Sequence, residues 1–132
     1  MITALRESIK RGIEYSSNDY KALSERECRD VKPKEDQLKC ALYRSLAEDG
    51  YLMHVEARNF HGNSRIDLLG YKGKRTFAIE IKTSWCATGW ANKYAEQRGK
   101  WISDIDRVSV LLRDGHIDFG FFVLALAYQE GY

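Results

Sequence analysis

Two acidic residues lie inside short apolar stretches that have the character of β-strands. Asp67 belongs to the run Ile66–Leu69, and thirteen positions later Glu80 lies within Phe77–Lys82. Carboxylates in apolar surroundings are costly unless a cationic partner or a metal ion neutralises them. Their hard oxygen atoms suit Mg²⁺ or Mn²⁺, which polarise a phosphate and lower the pKa of bound water. These two acids are therefore the first candidates for chemistry.

A lysine shares the predicted strand with the second acid. Side chains alternate along a strand, so Glu80 and Lys82 point to the same face, with their backbones roughly 7 Å apart. The segment Lys72–Lys74 predicts a hairpin turn around Gly73, which brings the strand of Asp67 alongside. Two carboxylates and an ammonium are thus expected on one surface, where the lysine could position an attacking water.

The elements that must position these residues are a helix, three strands, a helix and a strand. The predicted bounds are a helix opened by Pro33 and stopped by Gly50, strands over Tyr51–Arg58, Arg65–Tyr71 and Thr76–Thr83, a helix from Ser103 to Arg113 and a strand over Phe119–Tyr128. A short separate helix is predicted over Asn92–Arg98. Asp104 and Asp106 then open the following helix, where acids favour the helix dipole.

Residues 1–32 form a polar arm that precedes the predicted core of residues 33–132, within a single domain overall. Leu5, Ile9 and Ile13 recur at helical spacing, and Ser16–Asp19 predicts a break before a second short helix. Such an arm could cover a face of the sheet, mediate dimerisation or fray. The sequence does not choose among these.

Charge is distributed unevenly along the 132 residues, although the net charge is only +2. The segment Tyr51–Trp101 carries nine Lys or Arg and four Asp or Glu, a net charge of +5 around the two acids. A basic segment around candidate metal ligands favours a nucleic-acid partner.

The three cysteines lack the spacing of a zinc or redox motif and suit a reducing compartment. The N-terminal sequence has no signal-peptide pattern, and the longest apolar run is about half the length of a membrane helix. A cytoplasmic protein without a membrane partner is expected.

Asp67 and the triplet Glu80-Ile81-Lys82 resemble the motif of the PD-(D/E)xK nuclease superfamily. Ser64-Arg65-Ile66 departs from the Pro-Asp form of that motif. The resemblance implies a restriction-endonuclease-like fold, with an αβββαβ core whose mixed central sheet is flanked by helices. It implies that Asp67, Glu80 and the Ile81 carbonyl ligate the metal and that Lys82 serves the nucleophile.

Many members of the superfamily add a glutamate from the first core helix. Glu35 is the best match here, with Glu56 and Glu48 as rivals. Some branches also carry a QxxxY element after the ExK triplet, and the segment Gln97–Trp101 is similar, with tryptophan in place of tyrosine. The predicted nucleic-acid contacts are Arg65, Lys93, Gln97 and Lys100.

The expected function is a small Mg²⁺-dependent (or Mn²⁺-dependent) endonuclease that acts on DNA, of a junction-resolving, restriction-like or repair and mobile-element type. Cutting two strands often needs a second copy of so small a core, which favours a homodimer. The alternatives are a catalytically inactive module that binds nucleic acid or protein on the same fold, and a toxin-like RNase. A purely structural interpretation of the two acids is a separate alternative, in which Asp67 and Glu80 each pair with Arg65, Arg75 or Lys82 across the hairpin.

Overall fold

A computed structural model of the chain describes residues 1–31, 34–86 and 90–128, so Pro33 lies outside the described residues. Within these ranges, side chains are described everywhere except at residues 64, 84–86, 90–97 and 126–128. The elements are α1 (Ile2–Glu27), α2 (Glu35–Glu48), β1 (Leu52–Phe60), β2 (Asn63–Lys72), β3 (Arg75–Cys86), α3 (Trp90–Arg113) and β4 (Phe119–Tyr128). In this part of the chain, none of the helices is long and apolar enough to cross a membrane.

The four strands form one mixed sheet in the order β1-β2-β3-β4. β2 is antiparallel to both of its neighbours, whereas β3 and β4 run parallel and are connected through α3. Gly73 and Lys74 form the turn between β2 and β3, and Gly73 has the predicted positive φ, 60°. An α/β fold and the order helix, three strands, helix and strand are confirmed. β4 has its predicted bounds, and the other strands differ by one to three residues at their ends.

α1 is one uninterrupted helix, so the predicted break at Ser16–Asp19 is wrong. Ser16 is only 4% exposed, whereas Ser17 and Asn18 face solvent. Packing of α1 against α2 outweighs the weak intrinsic preference of these polar residues for other conformations. The helix ends instead at Cys28, whose φ is 55°.

One face of the sheet is covered by α1 and α2. The apolar core on this side consists of buried residues from both helices and from the strands: Leu5, Ile9, Leu38, Leu42, Leu46, Tyr51, Leu68, Phe77, Ile79, Ile81 and Val123. Gly12 allows the helices to approach closely, because a Cβ at this position would lie 2.9 Å from Leu42 Cα. Of the three arrangements considered for the N-terminal arm, the structure shows the one that covers the sheet.

The other face of the sheet packs against α3. Its smaller core is formed by Ala57, Ile66, Leu69, Ala78, Val108, Leu111 and Ile117. α3 is continuous, so the predicted division into two helices is wrong. A Cβ on Gly99 would meet no heavy atom within 4 Å, and a single exposed glycine costs a helix only about 1 kcal/mol. Asp104 and Asp106 therefore lie inside α3 and not at its start.

Candidate active site

Asp67 lies on β2 at the point where its pairing with β3 ends. The last paired positions are Leu68 and Ile79. Beyond them, the Ile81 backbone N–H donates a hydrogen bond of 2.8 Å to Asp67 Oδ2. Asp67 is 1% exposed, and its Oδ1 atom has no hydrogen-bond partner among the described residues. Buried carboxylate oxygens are rarely left without a partner, so this atom is a candidate ligand for a cation.

Glu80 lies on the neighbouring strand β3 and is 6% exposed. Burial, the negative charge of Asp67 and a hydrogen bond with Asp67 raise the pKa of Glu80 from 4.5 to about 8. The charge of Arg107 lowers this pKa, and that of Asp104 raises it. The structure therefore brings the two predicted carboxylates together, and without a bound cation the pair retains a proton at neutral pH.

Lys82 follows Glu80 by two residues on β3 and contacts α3. Its Nζ atom lies 3.3 Å from Asp104 Oδ2, and the Lys82 side chain is 30% exposed. Asp104 is itself buried and forms a second ion pair with Arg107 on the next turn of α3. Neither Asp104 nor Arg107 was selected from the sequence, because an acid near a predicted helix start has an ordinary explanation.

Of the two structural ion pairs that the alternative interpretation expects, the described side chains show the one of Asp67 but not the one of Glu80. Arg65 lies 3.5 Å from Asp67 Oδ1, as that alternative expects. Arg75 pairs with Asp118 at 3.4 Å, and Lys82 pairs with α3. Among the described side chains, no ion pair within 4.0 Å involves Glu80, so no cation compensates the burial and the charge of Asp67 that raise its pKa.

Glu35 is the first residue of α2 and is half-buried. Burial and the charge of Asp67 raise the pKa of Glu35, whereas the charges of Lys82, Lys39 and Arg65 lower it. The net effect is a raised pKa, with burial as its largest cause. The predicted third acid is close enough for these charges to change its ionisation.

The two rival glutamates differ in their positions. Glu48 is the last residue of α2, where it bonds to Tyr15 and Arg44 at the end remote from Glu35. Glu56 lies on the edge strand β1 and accepts a hydrogen bond of 3.0 Å from Lys39. Its φ of 52° is uncommon for a residue with a side chain and costs on the order of 1–3 kcal/mol. Glu56 borders the site because Lys39 and Arg65, which both lie near Asp67, also pair with it, whereas Glu48 has no such contact among the described residues.

Lys39 is a buried cation of the site that was missed in the sequence. Its Nζ atom lies 3.0 Å from Glu56 Oε1 and 3.6 Å from Asp67 Oδ1, and the residue is 5% exposed. Burial lowers the pKa of Lys39, but the hydrogen bond to Glu56 and the charge of Asp67 outweigh this effect and raise it overall. Helical spacing was the available signal, because Lys39 follows Glu35 by four residues and shares its face of α2.

A cleft of about 470 Å³ opens beside Lys82, between β3 and α3. Its lining residues are Lys82, Gly99, Lys100, Ser103, Asp104 and Arg107. Of the four predicted nucleic-acid contacts, Lys100 lines this cleft and Arg65 lies beside Asp67. The side chains of Lys93 and Gln97 lie outside the described residues.

The acid pair provides donors for one divalent cation with a mainly aqueous shell. Asp67 offers its Oδ1 atom, which has two cations within 3.6 Å but no hydrogen-bond partner among the described residues. Glu80 lies beside it, and the carbonyl of Ile81 is the predicted third donor. Within the described ranges, no three His, Cys, Asp or Glu side chains form a group that could enclose a metal ion. Mg²⁺ commonly uses only one or two carboxylates and keeps several waters, so the residues present fit this ion.

Comparison of the chain with protein-family models, with curated proteins and with solved structures gives no match in any of the three.

Proposed function

We propose that the protein is a Mg²⁺-dependent endonuclease of the PD-(D/E)xK, restriction-endonuclease-like type that hydrolyses phosphodiester bonds in DNA. The observation that carries the proposal is the buried pair Asp67 and Glu80 at the end of the β2–β3 ladder, with Lys82 two residues farther along β3. The order of elements from α2 to β4 and the parallel pairing of β3 with β4 also support it.

Each residue of the site has a separate task in this mechanism. Asp67, Glu80 and the Ile81 carbonyl would hold the ion, and Glu80 would have to be ionised, with its proton released to solvent, in order to serve as a ligand. When bound, the ion supplies stabilisation of negative charge on the phosphate and a lower pKa for coordinated water. The Ile81 N–H fixes the orientation of Asp67 through its hydrogen bond to Oδ2. Lys82 donates a hydrogen bond to the attacking water or to the phosphate oxygen that gains charge.

The bonds that form and break follow from the resemblance to the superfamily. The oxygen of a water molecule attacks phosphorus in line, and the bond from phosphorus to the 3′ oxygen breaks. The attacking water loses its protons to solvent or to the site, and the leaving 3′ oxygen takes up one. The products are a 5′-phosphate and a 3′-hydroxyl.

Cleavage assays with several substrates test this function. Supercoiled plasmid, a four-way junction, single-stranded DNA and RNA are each incubated with Mg²⁺, Mn²⁺ or EDTA. We expect DNA cleavage with either metal and none in EDTA, and a rate at least about 100-fold lower for Asp67→Asn and for Lys82→Ala. Arg113→Gln is the matched control, because Arg113 is exposed near the end of α3 and pairs with Asp114. Cleavage that survives EDTA or either substitution would contradict the metal-dependent mechanism.

Lys39→Met is expected to tighten the binding of Mn²⁺ about tenfold. The ammonium of Lys39 lies 3.6 Å from Asp67 Oδ1, so it competes with a metal ion for the same oxygen. Methionine retains an unbranched, apolar chain and removes the charge. Isothermal titration calorimetry measures the affinity, with Lys10→Met as the control at an exposed position of α1. Unchanged or weaker Mn²⁺ binding would mean that Lys39 does not compete for this oxygen.

One observation favours the alternative of an inactive binding module. Lys39 and Arg65 lie within 3.6 Å of Asp67 Oδ1, so positive charge already surrounds this acid without a metal ion. For such a module, salt-dependent nucleic-acid binding without cleavage is expected for the wild type and for every variant. A toxin-like RNase is distinguished in the same assay by cleavage of RNA but not of DNA.

A further inference from the structure

The cleft beside Lys82 combines positive charge with an open surface. Among the described side chains, three cations line it, namely Lys82 from β3 and Lys100 and Arg107 from α3, together with one carboxylate, Asp104. Lys100 and Arg107 are separated by seven residues, which is two helical turns and about 10 Å along the axis. They therefore lie on one face of α3, at a separation that an extended polyanion can bridge.

Asp104 is buried in the wall of this cleft and is only 7% exposed. One of its oxygens, Oδ1, is bonded to Arg107. The other, Oδ2, lies 3.3 Å from Lys82 Nζ but has no hydrogen-bond partner among the described residues. Burying a carboxylate costs free energy unless nearby cations and hydrogen bonds compensate its charge. Here it holds one cation on β3 and another on α3.

The cleft and the acid pair are parts of one continuous surface. Lys82 lines the cleft and is separated from Glu80 by a single residue on β3. Asp104 and Arg107 also line the cleft, and Asp104 joins them to Lys82 because it forms ion pairs with both cations. A strand seated in the cleft would thus lead directly to the carboxylates.

We propose that this cleft seats the DNA strand on which the nuclease acts, with Lys100 and Arg107 bound to phosphates of its backbone and Asp104 acting as a positioning residue for Lys82. The inference rests on the proposed function and adds the path of the substrate. A polyanion fits better than a single small anion, because the cations are spread along two turns of α3. Binding is therefore expected to depend strongly on salt and weakly on base sequence.

DNA binding is measured without cleavage by using the Glu80→Gln protein in EDTA, because both conditions are expected to prevent hydrolysis. Fluorescence anisotropy of labelled single-stranded and duplex oligonucleotides is recorded between about 50 mM and about 200 mM salt. Combining Lys100→Gln with Arg107→Gln is expected to weaken binding at least about tenfold at low salt. The slope of log K against log salt should fall by about 1.4 to 1.8, the loss of two phosphate contacts. Lys10→Gln combined with Arg113→Gln removes the same charge elsewhere and should leave the slope unchanged.

The positioning role of Asp104 is tested by steady-state kinetics. Asp104→Asn is expected to lower kcat about tenfold with little change in KM, and Asp104→Glu to restore part of kcat. If Asp104 only stabilised the fold, kcat of the Asp104→Asn protein would fall only in proportion to its unfolded fraction, which circular dichroism measures. An unchanged kcat for a folded Asp104→Asn protein would overturn this part of the proposal.

The two proposals fail in different ways. If nothing is cleaved, the proposed function fails, and anisotropy alone decides whether the cleft binds nucleic acid. In a second case, cleavage is present while the loss of Lys100 and Arg107 leaves DNA binding and its salt slope unchanged. That result would contradict the proposed path of DNA through the cleft but not the proposed nuclease function. The proposed path would also be contradicted if the control variant with Lys10→Gln and Arg113→Gln lost as much DNA affinity. It would equally be contradicted if the Glu80→Gln protein bound no DNA at any salt concentration.

Discussion

Glu80→Gln is expected to abolish cleavage and at the same time to stabilise the metal-free protein at about pH 8. The loss of cleavage should be at least about 100-fold, because a neutral amide cannot replace the anionic ligand of a divalent ion. Binding of nucleic acid should persist, since the cations of the cleft are unchanged. A gain in stability together with a loss of activity is the pattern of a residue retained for function.

The gain in stability follows from the ionisation of Glu80. Its pKa is raised to about 8 in the folded protein by burial and by Asp67, and lies near 4.5 in the unfolded chain. The stability that this neutral carboxyl contributes is complete below about pH 4.5 and is lost as the pH rises to about 8. Glutamine stays neutral throughout this window, so the substitution should add on the order of 4 kcal/mol at about pH 8 and little at about pH 4.

Urea unfolding in EDTA at these two pH values measures the difference. Glu14→Gln, at an exposed position of α1, is the control and should show the pH dependence of the wild type. If the pH dependence of Glu80→Gln equals that of the wild type, Glu80 is not held neutral in the folded protein. If cleavage persists in this variant, Glu80 is not a metal ligand.

Gly70→Ala is expected to destabilise the protein by about 3 kcal/mol. Gly70 on β2 is paired with Phe77 on β3, and a Cβ at this position would overlap the Phe77 ring. The ring is fully buried and packs edge-to-face against Tyr51, with centroids 5.3 Å apart, so it has no free space into which to move. Thermal or urea unfolding in EDTA gives the change in the free energy of unfolding.

Two further variants show whether the overlap is the cause. Gly99→Ala introduces the same methyl group on the exposed side of α3 and should stabilise the helix by about 0.5–1 kcal/mol. Phe77→Leu shortens the side chain that faces Gly70, so the two substitutions together should cost less than the sum of their separate effects. Strict additivity would show that Gly70→Ala acts through the strand backbone and not through the ring.

The elements around Glu80 could be predicted because their signals are local. Alternation of side chains identified β3, and Gly73 identified the hairpin that brings Asp67 alongside. The nearly continuous apolar run of β4 gave its bounds. These patterns depend on neighbours within a few residues and on a single turn, so distant contacts did not alter them.

The helices and the buried charges depend on distant contacts and could not be predicted in the same way. Polar residues at Ser16–Asp19 and a glycine at Gly99 usually interrupt helices, but here packing or exposure makes them tolerable. Lys39 and Asp104 are buried only because Asp67, Glu56 and Lys82 supply opposite charge from strands that are remote in sequence. Helical spacing places Lys39 on the same face of α2 as Glu35, but it does not show that Asp67 and Glu56 lie beside it.

The face of β3 opposite to Glu80 packs against α1 and α2, and this packing has a consequence for synthesis of the protein. Ile79 and Ile81, which flank Glu80, pack in one core with Leu5 of α1 and Val123 of β4. A nascent chain therefore lacks the part of this core that Val123 supplies until β4 has left the ribosome, however early α1 emerges. For an enzyme proposed to cut nucleic acid, the acids would acquire their final arrangement only after β4 has been synthesised, so cleavage would not begin before that point.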